Sequence, residues 1–156
     1  MQHLKEEFIN KLDSFVPLIG KHILEIGCGN GSRSVAIAEK CEQLVAIEPD
    51  VNLIENANQE RARDNITYQQ AKAESLPFTE NLFDICIFTL SLHHVPKDMV
   101  VKAIDEAVRV VKKDGYIVFL EPGMRGSFFE TEIQFGASDG DERKEKAFAY
   151  FSMLDH

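Results

Sequence analysis

The sequence predicts an α/β fold: a single domain over residues 1–156 built on a doubly wound, mostly parallel sheet of at least five strands. Short apolar runs alternate with segments of helical periodicity, which is the pattern of parallel strands joined by right-handed helical crossovers. The first of these runs leads into a glycine-rich loop and then a helix, a common nucleotide-binding arrangement in such sheets. Residues 83–88 are almost wholly apolar, as in a strand that is buried on both faces.

The N-terminal elements begin with an amphipathic helix that ends before Pro17 and Gly20. Its predicted apolar face consists of Leu4, Phe8, Leu12 and Phe15. The first strand covers residues 22–26. A helix over residues 32–40 follows, with Ser32 as its N-cap.

The middle elements continue the alternation. Residues 43–47 form the second strand, and residues 50–63 form a helix. This helix is expected to bury Leu53, Ile54 and Ala57. Residues 66–69 form a third, half-exposed strand, and the buried strand over residues 83–88 is the fourth.

The last predicted crossover is a helix capped by Asp98. Its predicted apolar face consists of Val100, Ile104, Val108 and Val111. Lys112 and Lys113 suit the negative end of the helix dipole, and Gly115 ends the helix. Residues 116–120 form strand five, and residues 141–155 predict a further helix.

The glycine loop carries the main functional signal. Gly27, Gly29 and Gly31, with the small Cys28 between the first two, expose main chain against which a ligand can lie. Their spacing is one residue shorter than the dinucleotide fingerprint, and no Gly-Lys-Ser/Thr follows as in a phosphate-binding loop. Glu25 stands two residues before the first glycine. A carboxylate there disfavours a pyrophosphate and favours a cationic ligand such as S-adenosylmethionine.

A second acid ends the second strand. Glu48 lies 21 positions after Gly27, where an acidic side chain can accept hydrogen bonds from ribose hydroxyls, and Pro49 follows it. NAD and S-adenosylmethionine share the ribose. Glu48 therefore indicates an adenosine cofactor without choosing between the two.

Five blocks in this order resemble the class I S-adenosylmethionine-dependent methyltransferases, with their Rossmann-like sheet. The similarity is closest to the small-molecule branch that includes the ubiquinone and menaquinone methyltransferases. It spans roughly residues 20–122. The blocks are residues 24–31 (LEIGCGNG), 47–49 (IEP), 71–78 (AKAESLPF), 83–95 (FDICIFTLSLHHV) and 115–122 (GYIVFLEP).

The resemblance implies roles for several residues. Glu25 would hold the cofactor's amino group, and the Ala73 backbone N–H would meet an adenine ring nitrogen. The family often has Asp-Ala-Glu here, but this chain has Lys72, which has donors only, so Glu74 is a possible replacement acceptor. The predicted cofactor-binding residues are Glu25, Gly27, Cys28, Gly29, Gly31, Glu48, Pro49, Ala73, Glu74, Thr89 and Leu90.

No catalytic residue is assigned, and no metal site is predicted. His93 and His94 follow the fourth strand, and one of them could act as a general base toward the acceptor. Shared metal binding is a weaker interpretation, because adjacent side chains diverge. The plainer alternative is that one histidine packs or caps at the loop while the other is solvated.

The whole-chain properties limit the partners. The net charge is −9 with no basic stretch, which argues against nucleic acid and anionic membranes. No apolar run approaches the roughly 20 residues of a membrane span, and no signal peptide is recognisable. Three scattered cysteines predict reduced thiols and a cytoplasmic location.

The predicted function is methyl transfer from S-adenosylmethionine to a small-molecule acceptor. The family normally adds an antiparallel strand pair after strand five, and the 36 residues after Leu120 contain no convincing pair. A homodimer formed through an exposed apolar edge is therefore one hypothesis. The alternatives are a non-catalytic cofactor-binding or interaction protein and, less favoured, an NAD-dependent oxidoreductase.

Overall fold

Five parallel strands form one sheet in the order β3-β2-β1-β4-β5. The structure is a computed structural model that describes the backbone of residues 2–121 and the side chains of residues 9–121. Its strands are β1 (His22–Ile26), β2 (Gln43–Glu48), β3 (Ile66–Gln70), β4 (Phe83–Thr89) and β5 (Val111–Leu120). Its helices are α1 (Gln2–Phe15), α2 (Ser34–Ala38), α3 (Val51–Glu60) and α4 (Val100–Val110).

Helices cover both faces of the sheet. Helices α1, α2 and α3 share one buried apolar cluster with Ile23, Leu44 and Ile85 of the strands. Helix α4 belongs to a second cluster with Leu24 and Phe88. Because successive strand residues point to opposite faces, the apolar strands supply both clusters at once. The predicted doubly wound α/β class is confirmed for this part of the chain.

Strand order places a topological switch between β1 and β4. The chain leaves β1 toward β2 on one side, and it later returns to β4 on the other. The register pairs Ile26 with Phe88, so both strands reach the same carboxyl edge of the sheet. The loops that follow β1 and β4 diverge there and leave a crevice, which is where open sheets of this kind bind ligands.

The helical faces differ in detail from the sequence prediction. In α1, Phe15 is 73% exposed, whereas Ile9 and Leu12 and the following Val16 are buried. In α4, Val108 is 52% exposed. The buried residues of α4 are Val100, Ala103, Ile104, Ala107 and Val110. Alanines therefore form part of the inner face, and a pattern based on large apolar residues overlooked them.

Several predicted boundaries are wrong. Helix α2 begins at Ser34 after Arg33, because Ser32 belongs to the glycine loop, where its N–H donates to Asn30 Oδ1. Asp98 lies in a short 3₁₀ turn, and Met99 precedes α4.

At the other end of α4 the prediction also fails. Helix α4 stops at Val110, and Lys112, Lys113 and Gly115 lie within β5, beside a shift in its register with β4. A Cβ on Gly115 would lie 2.6 Å from the Asp84 carbonyl oxygen, so glycine serves close strand pairing there. The predicted tail helix, and the segment in which the sequence shows no convincing strand pair, lie outside the described residues. Among the helices that the structure describes, none is long and apolar enough to cross a membrane.

Candidate cofactor-binding site

The glycine loop is tied to the neighbouring strand through its backbone. The N–H groups of Gly27 and Cys28 both donate to the Ile47 carbonyl, each at 2.9 Å. Gly27 and Gly29 have φ values of +78° and +54°, which residues with a Cβ rarely adopt. The loop therefore turns sharply at the end of β1 and lies beside the end of β2.

Glu48 supports this loop from β2. Its Oε2 accepts from the Gly29 N–H at 3.1 Å, and its Oε1 accepts from the Asp50 N–H at 3.3 Å. Each carboxylate oxygen can accept more than one hydrogen bond. The carboxylate is thus fixed in orientation while it retains acceptor capacity toward the crevice.

Glu25 lies beneath the loop and is fully buried. Thr89 Oγ1 donates to Glu25 Oε1 at 2.8 Å, and Ser34 Oγ donates to Oε2. Burial raises the pKa of this carboxyl above its usual range, while the two hydroxyls and the nearby charge of Arg33 act in the opposite direction. The structure thus places an acid behind the crevice wall and ties it to β4 and α2.

A turn forms another wall. The Ser75 N–H donates to the Lys72 carbonyl at 3.1 Å, which puts Ala73 and Glu74 at the tip of the turn. Ala73 is buried, Glu74 is half-buried and Lys72 is exposed.

Arg109 and Glu106 of α4 hold the segment after this turn. Arg109 donates to the carbonyl oxygens of Leu76 and Phe78 and to both carboxylate oxygens of Glu106. The Leu76 N–H donates to Glu106 at 2.8 Å. This Arg109–Glu106 clamp fixes the segment against α4.

These walls enclose a cavity of about 520 Å³ at the switch between β1 and β4. This volume is within the range of small-molecule sites. The predicted residues that line it are Gly27, Cys28, Gly29, Glu48, Pro49, Ala73, Glu74, Thr89 and Leu90. Glu25 and Gly31 are not among the lining residues. Gly31 is buried, and a Cβ there would lie 2.6 Å from the Tyr68 hydroxyl oxygen.

Other lining residues were not predicted as site residues. The most informative are Arg33, Leu53, Lys72 and His94, which add two cations, an apolar contact and an imidazole to the wall. Leu53 is half-buried there and not the core residue that was expected. Each lies within a few residues of a predicted site residue, so the sequence signal was proximity to the loops.

The two histidines have different environments. His93 is buried, and its Nδ1 contacts Glu121 Oε2. His94 is exposed and lines the cavity, with its ring centroid 4.0 Å from that of His93. The arrangement matches the plainer alternative for His93, which packs within the loop. No group of three or more metal-ligating side chains occurs in the part of the chain that the structure describes.

Cys28 contributes a neutral surface to the cavity. Burial, with Glu25 and Glu48 nearby, raises the pKa of its thiol far above the ordinary value of 9.0. A protonated thiol is a weak nucleophile. Cys28 therefore serves the glycine loop as a small, apolar side chain and not as a nucleophile.

Comparison with known proteins identifies the domain. Residues 24–119 match the family model described as a methyltransferase domain, and the chain belongs to this family. It is 32% identical over 102 residues to the uncharacterized methyltransferase YcgJ of Bacillus subtilis, covering 64% of this chain and 40% of YcgJ. It is 28% identical over 142 residues to the ubiquinone/menaquinone biosynthesis C-methyltransferase UbiE of Rickettsia akari, covering 84% and 55%.

Solved structures of methyltransferases and related proteins share the fold of this chain. The crystal structure of YcgJ matches with a TM-score of 0.64 at 28% identity, over 74% of this chain and 50% of that one. The phosphoethanolamine N-methyltransferase 1 of Haemonchus contortus, in complex with phosphoethanolamine and S-adenosylhomocysteine, shares the fold with a TM-score of 0.68 at 24% identity, over 81% and 28%. The chain spans about half the length of the curated relatives it matches. The predicted methyltransferase family and Rossmann-like fold are confirmed. The predicted cofactor agrees with the S-adenosylhomocysteine bound in the Haemonchus enzyme.

Proposed function

We propose that this domain transfers a methyl group from S-adenosylmethionine to a small-molecule acceptor. The observation that carries the proposal is the cavity at the switch between β1 and β4. The exposed main chain of the glycine loop forms one wall of this cavity, and Glu48 lines the adjacent wall. A Cβ on Gly29 would meet no atom within 4 Å, so the main chain faces open space there. The residues fit an adenosine compound that carries no phosphate.

Each wall takes one part of the cofactor in this proposal. Glu48 accepts hydrogen bonds from the ribose hydroxyls, and the Gly27–Gly29 segment contacts the methionine portion. Ala73 presents its backbone to the adenine, and Glu74 replaces the acceptor that Lys72 lacks. Glu25, which lies beneath the loop, attracts the cofactor's ammonium group either directly by its charge or indirectly by orienting the hydroxyl of Thr89.

The chemistry places modest demands on the protein. S-adenosylmethionine supplies an activated methyl group, and the acceptor displaces sulfur in line. The domain contributes alignment of the two ligands and exclusion of water. Because His94 lies in the loop that follows β4 and lines the cavity, we place the acceptor on that side. UbiE relatives act in quinone biosynthesis, so quinols and phenols are the first acceptors to test.

Two measurements test this function. Calorimetric titration should show binding of S-adenosylhomocysteine and no binding of NAD. Incubation with methyl-labelled S-adenosylmethionine and a panel of quinols, phenols and amines should then label one acceptor class. Failure of the folded protein to bind S-adenosylhomocysteine would refute the cofactor assignment and the activity together.

A non-catalytic cofactor-binding protein is the second candidate. It is favoured by Lys72, which lines the cavity where the family often has an acceptor side chain. Tight binding of S-adenosylhomocysteine without turnover across the panel would support this candidate. An NAD-dependent oxidoreductase is not retained, because the chain belongs to the methyltransferase domain family.

A cytoplasmic location is part of the proposal, and its support is the three free cysteines among the described residues. A homodimer stays a prediction from the sequence. Light scattering at high protein concentration tests it, and a stable monomer would contradict it.

A further inference from the structure

Glu121, directly after β5, holds the loop that follows β4. Its Oε1 accepts from the N–H groups of Ser91 and Leu92 at 3.2 and 2.8 Å, and its Oε2 contacts His93 Nδ1. One carboxylate therefore binds three consecutive residues of the loop. Hydrogen bonds to an ionised acceptor are stronger than neutral ones, so this is a firm attachment.

The residue before this group is held from the same strand end. Leu90 has φ of +59°, and its N–H donates to the Leu120 carbonyl at 2.7 Å. A left-handed conformation is unfavourable for a non-glycine residue, so it persists only where the surroundings enforce it. The end of β5 thus binds the backbone donors of residues 90, 91 and 92.

The restrained segment is a wall of the cavity. Thr89, Leu90, Ser91 and His94 all line it, whereas Glu121 and His93 do not. His93 is 6% exposed and stands between Glu121 and the ring of His94. The carboxylate and the buried imidazole therefore sit behind the wall that faces the ligand.

We propose that Glu121 and His93 are positioning residues for cofactor binding, because together they hold residues 91–93 and so fix the loop that forms this wall of the cavity. The inference rests on the proposed function, since it requires the cavity to bind S-adenosylmethionine. Without the pair, only the backbone hydrogen bond from Leu90 to the Leu120 carbonyl still ties this loop to the end of β5, so the part of the wall after Leu90 is no longer preformed. Cofactor affinity then falls, because binding must reorder the loop.

The test is calorimetric titration with S-adenosylhomocysteine, accompanied by thermal and urea unfolding of each variant. We expect Glu121→Ala to weaken binding about tenfold, since up to three hydrogen bonds that order the wall are lost. Glu121→Gln keeps one carbonyl oxygen for the two N–H groups and an amide for the imidazole, so its loss should stay within about threefold.

His93 provides a second, matched pair of variants. The amide of His93→Asn can replace Nδ1 toward Glu121, whereas His93→Ala cannot, so only the alanine variant should bind markedly more weakly. The double alanine variant should lose less than the product of the single losses, because both remove the same contact. If Glu121→Ala does not fold, the comparison of His93→Ala with His93→Asn decides the question.

Asp84 is the control at the opposite end of β4. Its carboxylate accepts from the His22 N–H and from Lys112 Nζ, each at 2.9 Å, so it also bridges strands. Asp84→Ala should lower stability and leave the affinity for S-adenosylhomocysteine within about twofold of wild type, since its contacts lie far from the carboxyl edge.

The outcomes separate the two proposals. If the folded wild type does not bind S-adenosylhomocysteine, the proposed function fails and this inference fails with it. If the wild type binds and the alanine variants bind equally well, the function stands and the positioning role is refuted. The role is also refuted if Asp84→Ala weakens binding as much as Glu121→Ala does, because the effect is then general destabilisation.

Discussion

Ser91 occupies the space that a side chain on Gly27 would need. A Cβ built on Gly27 would lie 2.2 Å from the Ser91 Cβ, and the Ser91 hydroxyl donates to the Ile26 carbonyl. The loops that follow β1 and β4 are therefore in direct contact across the switch between these strands. Absence of a side chain at position 27 is a condition for this contact.

Gly27→Ala should consequently be among the most destabilising single changes in the domain. It combines a left-handed backbone with a steric overlap, and we expect a loss of about 3 kcal/mol in the free energy of unfolding. Gly29→Ala is the matched control, because its Cβ would meet no atom within 4 Å and only the backbone cost of about 1 kcal/mol remains. Urea unfolding measures both, and equal losses would contradict the role of Ser91.

Glu48→Gln should weaken the binding of S-adenosylhomocysteine about tenfold, because a ribose hydroxyl then loses a charged acceptor. Glutamine also presents an amide to the Gly29 or Asp50 N–H that the carboxylate now accepts from. Glu55→Gln removes the same charge from an exposed position on α3 and should leave affinity unchanged. Calorimetry distinguishes the two variants, and similar affinities would remove Glu48 from the ribose site.

Glu25→Gln should separate stability from binding. Burial raises the pKa of Glu25 in the folded protein above its pKa in the unfolded chain. The protonated carboxyl therefore contributes stability at a pH below the unfolded-state pKa, and this contribution is lost as the pH rises through the folded-state pKa. The glutamine variant has no such loss, so relative to wild type it should gain stability toward neutral pH. If Glu25 neutralises the cofactor's ammonium group, the same variant should bind S-adenosylhomocysteine more weakly. Unaltered affinity would leave Glu25 with a structural role only.

Acid should weaken the Arg109–Glu106 clamp. The hydrogen bonds from Arg109 hold the pKa of Glu106 below its ordinary value of 4.5. The clamp therefore contributes stability at a pH above the unfolded-state pKa of Glu106, and this contribution is lost as the pH falls through the lower folded-state pKa. Glu106→Gln should flatten the decline of unfolding free energy in this acidic interval.

Arg109→Ala should cost about 1–2 kcal/mol near neutral pH, since its guanidinium also binds two carbonyl oxygens of the segment after the Lys72–Ser75 turn. Arg61→Ala is the control. Arg61 pairs with the adjacent Glu60 at the end of α3, and its loss should stay within about 0.5 kcal/mol. A cost for Arg109 as small as that for Arg61 would show that the clamp is not stabilising.

The sequence predicted those parts of the site that depend on a local pattern of residues. The glycine spacing and the acid at the end of β2 placed Gly29 and Glu48 on one cavity, because both follow parallel strands at the same sheet edge. The faces of α1 and α4 were less predictable. Large apolar residues such as Phe15 and Val108 are exposed, while alanines are buried, and the packing partner decides this.

Contacts across long separations were missed altogether. Glu121 meets Ser91 across 30 positions, and no periodicity reports such a pairing. One signal was available: an acid follows β5 at the carboxyl edge, just as Glu48 ends β2 at that edge. Extending the strand-end argument from β2 to β5 would have placed Glu121 beside the loop.

The division between an apolar sheet and the segments at its carboxyl edge has an evolutionary consequence. Thr89, buried where β4 ends, marks the border: the apolar residues of β4 before it pack in the core, whereas Leu90, Ser91 and His94 after it line the cavity. A substitution in the second group therefore changes the surface that faces the ligand and leaves the packing of β4 as it is. His94, exposed on the cavity rim, is the position where we expect such substitutions to begin.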